Sequence, residues 1–194
     1  MRATQNFPIT HLRTHPAMIR SLGMIKKACA MANHECGHLD DERTGYIIAA
    51  CDEIIQGKLD CWFITDVIQG GAGTSTNMNA NEVVANRAAQ LAGKALGVYD
   101  YIHPNDHVNF GQSTNDVFPT AGKLTALFLV EDLLEELMLL QEALLDKVLN
   151  LMMSSSWDVH ICRMRYRYAW DRSFMPLRRQ LCVTSEGSKW LFPI

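Results

Sequence analysis

One segment constrains the fold more than any other. From about Asn115 to Leu149 the chain places Leu124, Leu127, Phe128, Val130, Leu133, Leu134, Leu137, Leu140, Leu144, Leu145 and Val148 over most of a helical circumference. A helix of about 30 residues spans on the order of 45 Å. A helix lying on the surface of a two-layer domain would keep a broad polar face. This run therefore predicts the core of a helical bundle, with Glu131, Asp132, Glu135 and Glu136 as its solvated stripe. Upstream, helical spacing predicts helices over 16–36, stopped by Gly37, over 41–56, closed by Gly57, and over 79–93. Residues 93–114 read as loop. No internal repeat and no convincing strand pair is recognised, so the expected class is all-α.

Composition narrows the possible partners. A net charge of −3 makes no electrostatic case for nucleic acid or an anionic membrane. No window approaches eighteen apolar residues, and the start Met1-Arg2-Ala3-Thr4-Gln5-Asn6 has no apolar signal core. Cys29, Cys36, Cys51, Cys61, Cys162 and Cys182 form no C-x-x-C pair, and buried reduced thiols are expected. These features predict a cytoplasmic protein. The charge balance is uneven: through Lys147, 11 Lys and Arg stand against 18 Asp and Glu, and from Val148 onward 7 stand against 3. Trp157, Trp170 and Trp190 also fall in that last stretch.

Two polar knots precede predicted helices. Gly111-Gln112-Ser113-Thr114-Asn115-Asp116 leads into the long apolar run, which is expected to open at Pro119. Gly70-Gly71-Ala72-Gly73-Thr74-Ser75-Thr76-Asn77 leads into the third helix. Free N–H groups and small hydroxyl side chains at a helix start hold anions. Capping alone requires one Ser, Thr, Asn or Asp, and four in succession after a glycine exceed it. The pair suggests a pocket for a small, doubly negative molecule. The glycines match neither the P-loop nor the dinucleotide fingerprint.

Other candidates carry less. His34-Glu35-Cys36-Gly37-His38 matches H-E-x-x-H, but Gly37 interrupts the would-be zinc helix and no clear third ligand follows. Polar residues at a helix end are the expected reading, with no metal. His11 and His15 share the four-residue spacing with less support, and His103 and His107, in the loop before the Gly111 knot, read as surface histidines, with a place in the pocket lining as the alternative.

Gly70–Arg87 (GGAGTSTNMNANEVVANR) and His103–Ala121 (HPNDHVNFGQSTNDVFPTA) closely resemble two signature regions of the aspartase/fumarase superfamily, and Arg2–Thr10 resembles its early segment. The likeness covers about residues 2–147. Within the superfamily, G-G-A-G-T-S and Q-S-T-N-D are similar to aspartate ammonia-lyases; fumarases tend to show G-S-G-T-Q and Q-S-S-N-D. The resemblance implies a homotetramer with a long central bundle, each active site being assembled from three subunits. It implies reversible elimination of ammonia from L-aspartate to give fumarate, with no cofactor. Thr74, Ser113 and Thr114 would hold the carboxylate that gains charge, and Asn115 would help position the amine. Fumarate hydratase chemistry and a non-enzymatic helical fragment are the alternatives.

Two family strings are not recognised in the chain: the loop of the G-S-S-x-M-P-x-K-x-N-P type, which carries the base serine, and G-R-T-H-L-Q-D-A. The leader expected before Arg2 is also not recognised. Reading codons for 149–167 from each third base permits D-V-I-K-L-G-R-T-H-L-Q-D-A-V-P, with Met152–Met153 forcing Asp and Trp157–Asp158 forcing Gly. A frameshift near Lys147–Leu149 is therefore expected. The implied organisation is an N-terminal helical domain over 1–114, the first bundle helix over 115–147, and an out-of-frame, disordered tail over 148–194, in an inactive fragment.

Overall fold

A computed structural model describes residues 2–6, 8–69 and 71–153. The expectation of a disordered tail falls outside these residues from 154 onward. Five helices follow in order: α1 (Arg2–Asn6), α2 (Pro16–Glu35), α3 (Asp41–Ile55), α4 (Thr74–Leu91) and α5 (Thr114–Met153). Among the described residues the only extended pairing is a single bridge between Arg13 and Asp66. The all-α class holds.

Local chemistry accounts for most boundaries. His15 caps α2 by accepting from the Ala17 N–H, and Pro16 supplies a preset φ at the first position. Asp40 caps α3, with Asp41 and Glu42 in its first turn complementing the helix dipole. Both helices end in the same way. Gly37 and Gly57 sit at φ +75°. The next residues, His38 and Lys58, donate back to the carbonyls of Asn33 and Glu53, which satisfies carbonyls the helix leaves open.

One helix start, and the place of a proline in another helix, differ from expectation. The third helix begins at Thr74 rather than near Asn79, because Gly73 takes a left-handed conformation (φ +82°) and turns the chain directly into it. The long helix begins at Thr114, so Pro119 lies inside it. Proline brings no N–H to the carbonyl four residues back, so Asn115 receives no helical hydrogen bond from that position.

The chain divides after Phe128 into two compact units. In the first, Ile19 and Leu22 of α2 pack with Ile47, Ala50, Cys51 and Ile54 of α3 and with Ala80, Val84, Ala85 and Ala88 of α4. A Cβ on Gly23 would stand 2.9 Å from Ile54 Cγ2, so glycine permits the close approach of α2 and α3. Arg87 on α4 clasps the Glu53 carboxylate on α3 with two N–H groups. Thr125 of α5 donates to Ser21 of α2 at 2.9 Å. In the second unit, α5 leaves Leu129, Leu133, Met138, Leu139 and Leu140 substantially exposed, as a helix apolar on several faces must when taken alone.

The cysteine expectation is met in part. Cys29, Cys36, Cys51 and Cys61 are free thiols; Cys51 is buried and Cys29 half-buried, but Cys36 and Cys61 are exposed. Cys162 and Cys182 lie outside the described residues.

Candidate active site

The two polar knots meet in the first unit. Gly73, at the start of α4, lies directly under the Phe118 ring of α5; a Cβ there would sit 2.4 to 2.6 Å from three ring carbons. Four residues into α4, the buried Asn77 donates from Nδ2 to the Thr114 hydroxyl oxygen at 3.1 Å. These contacts join the starts of α4 and α5 at Gly73–Phe118 and Asn77–Thr114; Thr74 follows Gly73 in the chain, and Ser113 and Asn115 flank Thr114.

Each helix start keeps hydrogen-bonding capacity. At α5, Ser113 is the cap: its Oγ accepts from the Asn115 N–H at 3.2 Å, and its carbonyl accepts from Asp116 and Val117. At α4, Gln69 accepts from the Thr76 N–H at 3.1 Å and donates to the Thr76 hydroxyl at 2.8 Å. The N–H groups of Thr74, Ser75 and Thr114 have no acceptor among the described residues. Since the Ser113 and Thr114 oxygens already accept internal N–H groups, their own hydroxyl hydrogens are left to donate. Thr74, Ser113 and Asn115 are exposed and Thr114 is half-buried. The arrangement is a set of outward donors at the positive ends of two helices, suited to a carboxylate.

The loop before α4 is held by one carboxylate. Asp66 accepts from the N–H and hydroxyl of Thr10, the N–H of His11 and the N–H of Ile68, at 2.6 to 2.8 Å. These hydrogen bonds, the Thr10 hydroxyl foremost, hold its pKa well below the usual carboxylate range. The Asp66 carbonyl in turn accepts from Gln69, so the chain from Thr10 to Thr76 is one connected brace.

Beneath the knots lies a polar cluster that sequence reasoning missed. Lys26 on α2 is 1% exposed; its Nζ donates to Asn109 Oδ1 at 2.9 Å and Gln112 Oε1 at 2.8 Å. Asn77 donates to the same Asn109 oxygen at 3.3 Å. Asn109 and Gln112 donate to the carbonyls of Gln112 and Val108, which locks the turn just before Ser113. Burial pulls the Lys26 pKa down to about 8. The available signal was a lysine on the apolar stripe of α2, four residues after Leu22 and four before Ala30.

The histidines serve the scaffold. Gly37 ends α2, so His34 and His38 do not share a helical face. His34 faces the Leu39 carbonyl at 3.0 Å and Asp41 at 3.1 Å, while His38 packs on Phe110. His103 Nδ1 accepts from the N–H groups of Asn105 and Asp106, capping a short wide turn over Pro104–Val108. His107 Nδ1 accepts from the His103 N–H at 2.8 Å, and burial, with Arg43 adding, holds its pKa below the ordinary value.

A protein-family profile described as "Lyase" matches residues 1–151. The chain belongs to this lyase family. Among curated members of this aspartase/fumarase superfamily, an aspartate ammonia-lyase of Bacillus sp is 54% identical over 147 residues, 76% of this chain and 31% of that one. A class II fumarate hydratase of Halobacterium salinarum is 54% identical over 126 residues, 65% of this chain and 27% of that one. Among solved structures, a "fumarate lyase:delta crystallin" from Brucella melitensis superposes with a TM-score of 0.71 at 48% identity, covering 74% of this chain and 34% of that one. The chain thus spans about a third of the length of the lyases it matches.

Proposed function

We propose that the chain carries the carboxylate-stabilising part of an aspartate ammonia-lyase site. The observation that carries this reading is the joining of the two helix starts through Asn77 and Thr114, which leaves the hydroxyls of Ser113 and Thr114 as outward donors. Removing a proton from C3 of L-aspartate moves charge onto the adjacent carboxylate, giving an enediolate-like species before ammonia leaves. Thr74, Ser113 and Thr114 donate to that oxygen pair where charge develops, in an arrangement fixed before reaction. The Asn115 side-chain oxygen, beside the backbone carbonyl that Pro119 leaves without a helical donor, accepts from the substrate ammonium. No organic cofactor or metal is required for this step. The remaining groups, including the base, belong to other parts of the assembly, a homotetramer in which α5 enters a central bundle; its exposed leucines support that role. A cytoplasmic location goes with this reading; among the described residues no helix is long and apolar enough to cross a membrane.

Fumarate hydratase chemistry is the second reading, because the curated hydratase and ammonia-lyase match at the same identity. Binding separates the two. Amide shifts of Thr74, Ser113, Thr114 and Asn115 should respond to lower concentrations of L-aspartate than of L-malate; the reverse order assigns the site to hydration. Fumarate absorbance should not rise when the purified chain alone meets L-aspartate. Turnover under those conditions would defeat the view that the base lies elsewhere.

We further propose that residues after Lys147 are read out of frame, so that the domain organisation is 1–114, the bundle helix 115–147, and an unpatterned tail over 148–194. The coding DNA tests this directly. Codons for 149–167 that cannot spell D-V-I-K-L-G-R-T-H-L-Q-D-A-V-P in the shifted frame would end the idea.

A further inference from the structure

The full positive charge most closely connected to the two helix starts is the buried one on Lys26. Among the described residues it pairs with no carboxylate: its hydrogen-bond partners are the side-chain oxygens of Asn109 and Gln112. Neutral amides solvate an ammonium without neutralising it, and such a group is costly to bury. The titratable groups that face it are the Cys29 thiol on its own helix and the Cys51 thiol on α3. Burial raises both thiol pKa values, that of Cys51 to about 12, so neither offers a counter-charge at neutral pH. The turn before α5, α4 and α5 contribute the uncharged Asn109, Gln112, Asn77 and Thr114.

Two paths run from this charge to the helix starts. One passes through Gln112, the residue before Ser113. The other passes through Asn109 and Asn77 to the Thr114 hydroxyl, every step at 3.3 Å or less. We propose that Lys26 is a positioning residue for the carboxylate site: its buried ammonium orients Asn109, Gln112 and, through Asn77, the Thr114 hydroxyl, so that a dicarboxylate binds more tightly when Lys26 is protonated. The inference rests on the anion reading given above and deepens it. Chemically, a neutral amine in the same place keeps two donors but loses the field that favours a dianion. At the effective dielectric of a half-buried site, a unit charge a few hydrogen-bond lengths away changes affinity by about tenfold. Linkage then requires a bound dianion to raise the Lys26 pKa by about one unit.

The test uses the full 194-residue chain with succinate, an unreactive dicarboxylate, followed by amide and Lys26 Cε resonances. Succinate should bind about tenfold more weakly at pH 9.5 than at pH 7 and should shift the Lys26 titration upward. Lys26→Arg, which stays charged, should bind with no such pH dependence. Lys26→Met should bind weakly and equally at both pH values; if it does not fold, the wild-type profile and Lys26→Arg decide. Succinate binding that is unchanged between pH 7 and 9.5 overturns the role of Lys26. Absence of any succinate-induced shift at Thr74, Ser113 or Thr114 at pH 7 overturns the anion reading itself, and the two failures are distinct.

Discussion

Gly73 is where the two halves of the candidate site touch, and replacing it by alanine should separate them measurably. Gly71 supplies the internal control. Both glycines lie at nearly the same left-handed φ, +81° and +82°, so an alanine at either position loses about 1–2 kcal/mol to backbone strain. They differ in space. At Gly71 the nearest atom to a new Cβ is the Thr74 hydroxyl oxygen at 3.9 Å, an ordinary contact, whereas at Gly73 three Phe118 ring carbons lie at 2.4 to 2.6 Å. Carbon atoms pack best at about 3.5–4.0 Å, so the ring must move by about 1 Å. Overpacking of this kind adds about 1–3 kcal/mol. Gly71→Ala should therefore destabilise by about 1–2 kcal/mol and Gly73→Ala by about 2–5 kcal/mol, measured by urea unfolding of the full chain and linear extrapolation. Repeating the pair in a Phe118→Ala background should bring the two values together, because the clash has been removed. Equal losses in the wild-type background, or a gap that survives Phe118→Ala, would refute the steric argument and with it the close apposition of the helix starts.

The other expectations concern single polar groups. Thr114→Val keeps shape but removes one of the two acceptors of the buried Asn77 Nδ2, leaving only Asn109; it should cost about 1–3 kcal/mol and weaken succinate binding. Asp66 has a depressed pKa, so its contribution is present above the ordinary carboxylate pKa and disappears as pH falls through the lower folded value. Acid titration of the Thr10 and Ile68 amides should show this loosening, and Asp66→Asn should weaken the brace already at neutral pH. The Lys26 pKa is also depressed, but there the folded state disfavours the charged form. Its pKa falls from 10.5 to about 8, so the unfolded chain binds more protons between these values and the Lys26 contribution to stability should rise with pH across that window, by about 3 kcal/mol in all. The Cys29 and Cys51 thiols, whose pKa values are raised, set an opposing fall against it above about pH 9. Lys26→Met should abolish that rise in urea titrations.

Much of the helical scaffold was legible in the sequence. Apolar residues at helical spacing and the stop glycines Gly37 and Gly57 located the ends of α2 and α3 closely, because helix termination by a left-handed residue is a local event. The start of α4 was set five residues too late. Thr74, Ser75 and Thr76 read as loop on their own, yet Gln69 satisfies Thr76 and Gly73 turns beneath Phe118. The start of α5 at Thr114 lies one residue from the Asn115 that apolar spacing predicts, whereas Pro119, expected at its opening, is tolerated inside the helix. Resemblance to family motifs pointed to Thr74, Ser113, Thr114 and Asn115 as a group; it offered nothing on Lys26.

The sequence by itself determined the helical class, the long apolar helix and the presence of two polar helix starts, because periodicity, caps and glycine stops act over a few residues. Only the tertiary structure decided that those starts meet and that a buried ammonium lies beneath them. Lys26, Asn77, Asn109 and Thr114 are far apart in the chain and come from three helices and a turn. Their hydrogen bonds exist only once α2, α4, α5 and the turn before α5 have packed, and no local pattern encodes which buried amide will face which hydroxyl.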